Sequence, residues 1–313
     1  MDHALKIIPF LFFSVGLWAS ESLLILGPSG PGFDEVRDSM ANELREDFHI
    51  HNLVMDQQLD LNQLRRNLAR YKPNLVVLMN NSAIELYKEC QQTLKIDELP
   101  LAIGCMALFI EDAMRNMPKA VAVSYDIPAV TSLVNLRDLI DLPVERVGVL
   151  YRPGFQSFID RQQRYCAREE IQLIPYSIGS DHLGKNIKRG LAILIKQEKI
   201  DALWVPNDNM ILTPKLIKKS WLPGLKAFRK PVVVGVPGLL HNRFGNFSVL
   251  PDHGGLGKQI AGLAIEIMGN HWQIGDNLLR EPLTVSKHLK VGYARKYLHL
   301  REEKTMEVDF LLN

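Results

Sequence analysis

The sequence predicts an α/β protein made of two doubly wound parallel-sheet lobes joined by a multi-strand hinge, and three observations predict it. Short apolar runs alternate with longer stretches of helical period along almost the whole chain, the pattern of right-handed βαβ units. Three blocks then recur in the same order. Pro31-Gly32-Phe33 returns as Pro153-Gly154-Phe155, Lys72 to Asn81 as Lys199 to Asp208, and Leu99 to Gly104 as Lys230 to Gly235, at offsets of 122, 127 and 131 residues. Finally, no stretch rich in Pro, Gly or Ser separates the two halves, which fits a tight hinge better than a loose tether.

The first residues differ from the rest. Lys6 precedes the apolar run Ile7 to Ala19, and Ser20-Glu21-Ser22 follows, so residues 1–22 read as a signal peptide with a basic start, a hydrophobic segment and a cleavage zone. The run is too short to cross a bilayer comfortably, and no cysteine follows it to carry a lipid. The expectation is a protein free in the periplasm.

Strands are expected at Leu23–Gly27, Ile50–Met55, Leu75–Met79, Leu99–Gly104 and Ala120–Ser124, then at Val147–Tyr151, Ile171–Tyr176, Ala202–Val205, Val232–Gly235 and Phe247–Leu250. Helices are expected at Asp34–Arg45, Leu61–Tyr71, Ala83–Leu94, Phe155–Glu169, Gly184–Lys196, Pro214–Phe228 and Gly255–Met268. Phe247 to Leu250 and Leu279 to Val285 are left over once Gly235 closes the fourth strand of the second half, and both are expected to cross between the sheets.

Composition excludes several function classes. With 47% apolar and 23% charged residues the chain is a folded globular protein, and 37 basic against 35 acidic residues leave a net charge of +2. No basic block tracks a phosphate backbone, so nucleic acid is not an expected partner. Cys90, Cys105 and Cys166 form no C-x-x-C pair and allow one disulfide at most. Cys90 and Cys166 fit the buried stripes of their helices and read as structural thiols. His49 and His51 share a strand face without further ligands at metal spacing, and no metal or cofactor is expected.

In open parallel sheets, ligands bind beyond the carboxyl ends of the strands. Those positions hold Ser29 and Gly30 in the first half, then Asn80, Asn81 and Ser82, with Ser124, Tyr125 and Asp126 at the passage between the halves. In the second half they hold Phe155 and Gln156, Asn207, Asp208 and Asn209, and Pro237. The set is amides, hydroxyls, aromatic rings and a few carboxylates, suited to hydrogen-bonding a small polar molecule. The Asn, Asp and Ser residues equally suit helix capping, and Phe155 shares the helical spacing of Phe158 and Ile159 and suits the core.

Lookalike motifs fail. Gly254-Gly255-Leu256-Gly257-Lys258-Gln259 lacks the Ser or Thr that closes a phosphate loop and reads as a helix start. Gly27-Pro28-Ser29-Gly30-Pro31 has Pro where a nucleophile elbow needs Gly. Binding is therefore favoured over catalysis, and a hydrolase or transferase on a doubly wound fold stands as an alternative.

Ser124-Tyr125-Asp126-Ile127-Pro128, Leu136-Arg137-Asp138-Leu139, Glu145 to Tyr151, Asp201 to Asn209 and Leu256 to Ala261, taken in order, resemble the ABC-transporter substrate-binding family that includes tryptophan- and tyrosine-type binding proteins. The resemblance covers nearly the whole chain after the leader. It implies a type 1 periplasmic binding protein with Rossmann-like lobes, three crossovers and a ligand enclosed on closure. The lobes it implies are residues 23–124 plus about 251–275, and 125–250 plus about 276–313. It also implies ligand contacts at Ser124, Tyr125, Asp126, Asn207, Asp208 and Asn209, a small-molecule ligand such as an amino acid, an inner-membrane ABC permease as partner, and a monomer. Asp208 or Asp126 would meet a ligand ammonium, and N–H groups near Ser29, Gly30 and Ser82 a carboxylate. A sensing module that hands its closed form to a membrane receptor has the same fold and stays open. The chain departs from the family at Phe155 and at Leu239 to Phe244, where smaller residues are usual.

Overall fold

The computed structural model describes residues 21–55, 59–93, 99–241, 244–276 and 278–313. The expected leader lies outside them except for Glu21 and Ser22, which open the first strand.

The first lobe runs β1 (Glu21–Gly27), α1 (Pro31–Leu44), β2 (Phe48–Val54), α2 (Leu61–Tyr71), β3 (Leu75–Met79), α3 (Asn81–Gln91), β4 (Leu101–Cys105), α4 (Ile110–Ala113) and β5 (Ala120–Val123). The second runs α5 (Ala129–Leu139), β6 (Arg146–Tyr151), α6 (Gln156–Ala167), β7 (Gln172–Ser177), α7 (Leu183–Ala192), β8 (Ala202–Val205), α8 (Pro214–Leu216), α9 (Leu222–Leu225), β9 (Val232–Val234), α10 (Pro237–His241) and β10 (Phe247–Pro251). There follow α11 (His253–Gly269), β11 (Leu279–Arg280), β12 (Val285–Lys290), α12 (Val291–Tyr293) and β13 (Phe310–Leu312). A π-turn, Ile217–Trp221, joins α8 to α9 into one helical run, the helix expected from Pro214.

Two sheets form, in the orders β11-β5-β4-β3-β1-β2 and β13-β12-β10-β9-β8-β6-β7. The core order β2-β1-β3-β4-β5 recurs as β7-β6-β8-β9-β10, so the lobes are two copies of one doubly wound unit. The three collinear sequence matches fall just after β1 and β6, where the chain enters α1 and α6, and on β3 and β8 and β4 and β9. Among the described residues the strand pairings are parallel except β10 with β12, and an isolated antiparallel bridge joins Ile140 to Leu300.

Both sheets are covered on two faces, which is why their central strands are apolar throughout instead of alternating. In the first lobe, α1 and α11 close one face over Leu23, Ile25, Val77 and Ile103, while α2 and α3 close the other over Leu24, Leu26, Val76 and Leu78. In the second, α5 and α6 cover Val147, Val149 and Trp204, and the helices from α7 to α10 cover Leu150, Leu203 and Val205. The three cysteines are free and buried, each in a different cluster.

Three passages join the lobes: Ser124–Pro128 between β5 and α5, Asp252 between β10 and α11, and Glu281–Thr284 between β11 and β12. Of the two segments expected to cross between the sheets, Phe247–Pro251 instead lies within the second sheet beside β9, and the one from Leu279 does cross. Leu279–Arg280 pairs with β5 in the first, and Val285 onward pairs with β10 in the second. The C-terminal segment, assigned to the second lobe from about residue 276, thus gives β11 to the first sheet. Asp252 starts α11 by accepting the Gly255 N–H (2.9 Å), and α11 then lies so close on α1 that a Cβ at Gly257 would sit 2.6 Å from the Val36 carbonyl oxygen. The glycine-rich stretch serves helix initiation and packing.

The sequence reading did not include α5. Its buried residues, Ala129, Ser132, Leu133, Leu136 and Leu139, do keep helical spacing, but Val130 and Val134 also pack on the core and blur the edge of the polar face formed by Thr131, Asn135 and Asp138. Its first N–H, from Ala129, donates to the buried Gln162 Oε1 at 2.8 Å.

Candidate functional site

The exits of the first lobe's strands are closed by their own neighbours. After β1, Ser29 is exposed, and Gly30 takes a φ of 142°, open to glycine at little cost. Its N–H donates to Asp34 Oδ2 (3.1 Å), and Arg37 donates to Asp34 Oδ1 and to the Gly27 and Pro28 carbonyls. A carboxylate of the chain itself thus sits at the helix terminus where a ligand carboxylate was expected. After β3, Asn80 Oδ1 caps α3 by accepting the Ala83 N–H (2.8 Å), and Ser82 is exposed. Asn81 makes a two-way bond with Leu108, accepting its N–H (3.0 Å) and donating to its carbonyl (2.9 Å).

That bond pins the loop after β4 and presents Phe109. Phe109 has a φ of 51°, an unfavourable left-handed conformation for a bulky residue. Its N–H donates to Asp126 Oδ2 at 2.6 Å, and this bond holds the strained residue against the first passage. The Phe109 ring then crosses to the other lobe, 4.3 Å from the Phe155 centroid and 5.2 Å from that of Phe158, edge-on to the latter. Glu111 of the same loop pairs with Arg161 of α6.

The second lobe's exits carry more charge. Arg152 forms a two-pronged pair with Asp208, at 2.6 and 2.9 Å, and lies over the Phe155 ring. Asp208 is 3% exposed, so its carboxylate is fully committed to this guanidinium and to the Met210 N–H. Gln156 is exposed, accepts the Tyr151 hydroxyl and donates to Asp160; Asn209 is exposed as well. Pro237 opens α10, and its side chain lies outside the described residues. Asn207 is buried on Gly235: a Cβ on that glycine would lie 2.2 Å from Asn207 Oδ1.

At the passage between them, the Ser124 hydroxyl donates to the Asp126 carbonyl (3.0 Å). Tyr125 stacks on His253 and shares a 2.9 Å hydrogen bond with its Nε2, tying the first passage to the second. Burial pushes the Asp126 carboxyl up to about 6, against the opposing bonds from the Phe109 N–H and the Asn207 amide. Burial likewise raises Tyr125, with the Asp126 charge adding to it.

Two connected spaces lie here, sharing Asp126 and Phe158. The larger, about 150 Å³, is lined from the first lobe by Phe109, Ile110 and Glu111, from the passages by Asp126 and Glu281, and from the second lobe by Ser157, Phe158 and Arg161. The smaller, about 20 Å³, lies among Tyr125, Asp126, Phe158, Trp204 and Asn207. Desolvation raises Glu281; Arg161 lowers it, and Asp126 and Glu111 raise it further.

Of the residues named from sequence, the structure brings Ser124, Tyr125, Asp126 and Asn207 to these spaces and Phe155 to the aromatic contact beside them. Ser29, Gly30, Asn80, Asn81, Ser82, Gln156, Asp208 and Asn209 line neither. Sequence reasoning missed Phe109, Arg161 and Glu281. Phe109 stands four residues beyond the β4 exit, where the strand-exit rule points to Cys105. Arg161 lies a turn and a half inside α6, and Glu281 sits in a passage with no motif.

No protein-family model matches the chain, and no curated protein matches it in sequence. Solved structures do resemble it. The ligand-free, open structure of a substrate-binding protein with adhesive properties from Clostridium difficile superposes with a TM-score of 0.67 at 13% identity, over 93% of this chain and 99% of that one. An ABC domain in complex with L-Trp from Streptococcus pneumonia gives 0.54 at 15% identity, over 93% and 100%. A periplasmic ribose ABC transporter protein from Conexibacter woesei gives 0.50 at 14%, over 89% and 95%. The fold is that of the two-lobed type 1 periplasmic binding proteins. Among the described residues, no helix is long and apolar enough to cross a membrane.

Proposed function

We propose that the chain is an exported solute-binding protein that encloses a small amphiphilic molecule between its lobes and presents the closed form to an ABC-type permease. The observation that carries this reading is the convergence of both lobes and two passages on one aromatic and carboxylate-lined space at the hinge. A ligand seated there touches groups that move relative to one another, so it favours the closed arrangement by its differential contacts. The L-Trp bound to one structural neighbour supports a ligand of amino-acid size with an aromatic body. The strained Phe109 supports a binding role as well, since strain of this kind persists where function demands a particular side-chain placement. The ABC-transporter proteins among the structural neighbours support delivery of the solute to a permease.

A thermal-shift screen over amino acids, small peptides, organic amines and small anions tests the reading. It predicts stabilisation by one chemical class that saturates with concentration and is lost in Asp126→Asn. If no solute stabilises the protein, solute binding is the wrong role for this fold here.

A further inference from the structure

We propose that the ligand held between the lobes is a cationic organic amine with an apolar body and no carboxylate, its ammonium seated at the Asp126 carboxylate and the Asn207 amide oxygen. This rests on the solute-binding reading and narrows it to a ligand class.

The polar groups around the two spaces are unbalanced. Four carboxylates line the larger space, Glu111, Asp112, Asp126 and Glu281, against the guanidinium groups of Arg115 and Arg161. Both guanidinium groups are engaged, Arg161 with Glu111 and Arg115 with Asp112. Among the described residues neither Asp126 nor Glu281 has an ion-pair partner.

Asn207 supplies an independent sign of the same polarity. Its side chain is buried, with 8% of its surface exposed, and its amide N–H group faces the Gly235 carbonyl (3.4 Å) and bonds to the Asp126 carboxylate. Among the described residues Oδ1 then has no hydrogen-bond partner, and Asn207 lines the same small space as Asp126. A buried amide oxygen without a donor is costly in a folded protein, and a donor arriving with the ligand removes that cost. Two acceptors around one space call for a group that only donates, and an ammonium has three N–H donors and no acceptor. The walls agree: Tyr125, Phe158 and Trp204 surround the small space, and ring faces attract a cation.

The other half of a zwitterion has no corresponding seat. Arg152 is committed to Asp208, Arg37 to Asp34, and the α1 N-terminus to the Asp34 carboxylate. The N-terminal N–H of α3 at Ala83 is taken by Asn80. An α-carboxylate brought to Asp126 and Glu281 would meet like charge. The apolar body instead fills the larger space against Phe109, Phe158 and Leu279.

Calorimetric titration of the exported chain with three matched probes, phenethylamine, L-phenylalanine and 3-phenylpropionate, tests the assignment at pH 7.5. Phenethylamine is expected to bind at least tenfold more tightly than L-phenylalanine, with 3-phenylpropionate weakest. Asp126→Asn is expected to weaken phenethylamine at least tenfold while the thermal midpoint stays equal to or above that of the parent, which excludes simple misfolding. If L-phenylalanine binds as well as or better than phenethylamine, the amine class is overturned and the solute-binding reading stands. If none of the three probes, nor any solute of the wider screen, binds, both fall.

Discussion

At the exit of β1 the helix-terminal N–H of Gly30 is already bonded to Asp34, and at the exit of β3 Asn80 and Asn81 spend their amides on α3 and on Leu108. The matching exits of the second lobe are built otherwise. After β6 an arginine reaches across to the carboxylate that follows β8, and next to that carboxylate Asn207 keeps a buried oxygen with no partner among the described residues. The backbones of the two corners descend from one plan, yet one corner is chemically complete and the other leaves a polar group to be satisfied. Repetition of a fold therefore does not repeat a site: the side chains after the strands decide, and in the proposed reading recognition falls to the hinge and the second lobe.

This contrast can be broken first at its most rigid point. Replacing Arg152 by Met strands the Asp208 carboxylate, 3% exposed, and is expected to cost about 3 kcal/mol in urea-induced unfolding. An effect below about 1 kcal/mol would mean that this corner is wet and loosely held, and that the contrast between the lobes is smaller than described.

Asp126 tests the contrast by pH. Its folded value, about 6, lies above its ordinary 3.8, so protonation favours the folded state. That stabilisation is complete below about 3.8 and disappears as pH rises through about 6. Asp126→Asn, which keeps an acceptor for the Phe109 N–H, is expected to raise stability at pH 7.5 by about 1–2 kcal/mol and to abolish this part of the pH dependence. Amine affinity should change in the opposite sense, falling as pH drops from about 7.5 to about 5. The groups facing Asp126 in that experiment are Glu281, Glu111, Arg161 and Tyr125. Affinity that does not vary with pH would remove Asp126 from the contact.

Phe109 separates strain from recognition. Phe109→Gly removes both the left-handed strain and the ring that meets Phe155 and Phe158. It is expected to leave stability within about 1 kcal/mol of the parent, as relief of strain offsets lost packing, while weakening ligand binding about tenfold by calorimetry. The smallest effect belongs to the complete corner: Asn80→Ala should cost about 1 kcal/mol as a lost helix cap and leave affinity unchanged. Loss of binding in this variant would move the site to the first lobe.

The fold was legible because the strands of a sheet covered on both faces are continuous apolar runs, and because duplication left three collinear matches on or just after equivalent strands. The helix α5 was not, since Val130 and Val134, packed on the core beside Thr131, Asn135 and Asp138, blur its polar stripe. The site was legible only where it coincides with the strand exits and the first passage, at Ser124, Tyr125, Asp126 and Asn207. Phe109, Arg161 and Glu281 come to it from a loop, a helix interior and a later passage, three places that only the closing of two sheets on a common hinge brings together. Asp208 illustrates the converse: its position after a strand suggested a ligand partner, and a distant arginine has taken that place.

The central claim is that ligand is held at the hinge and second-lobe corner. A crystal structure grown with the tightest-binding compound from the solute screen tests it most directly. The account predicts ligand density between Phe109 and Phe158, with a donor nitrogen within hydrogen-bond distance of Asp126 and of Asn207 Oδ1. Ligand at Gly30 or Asn80, or outside the space between the lobes, would contradict it.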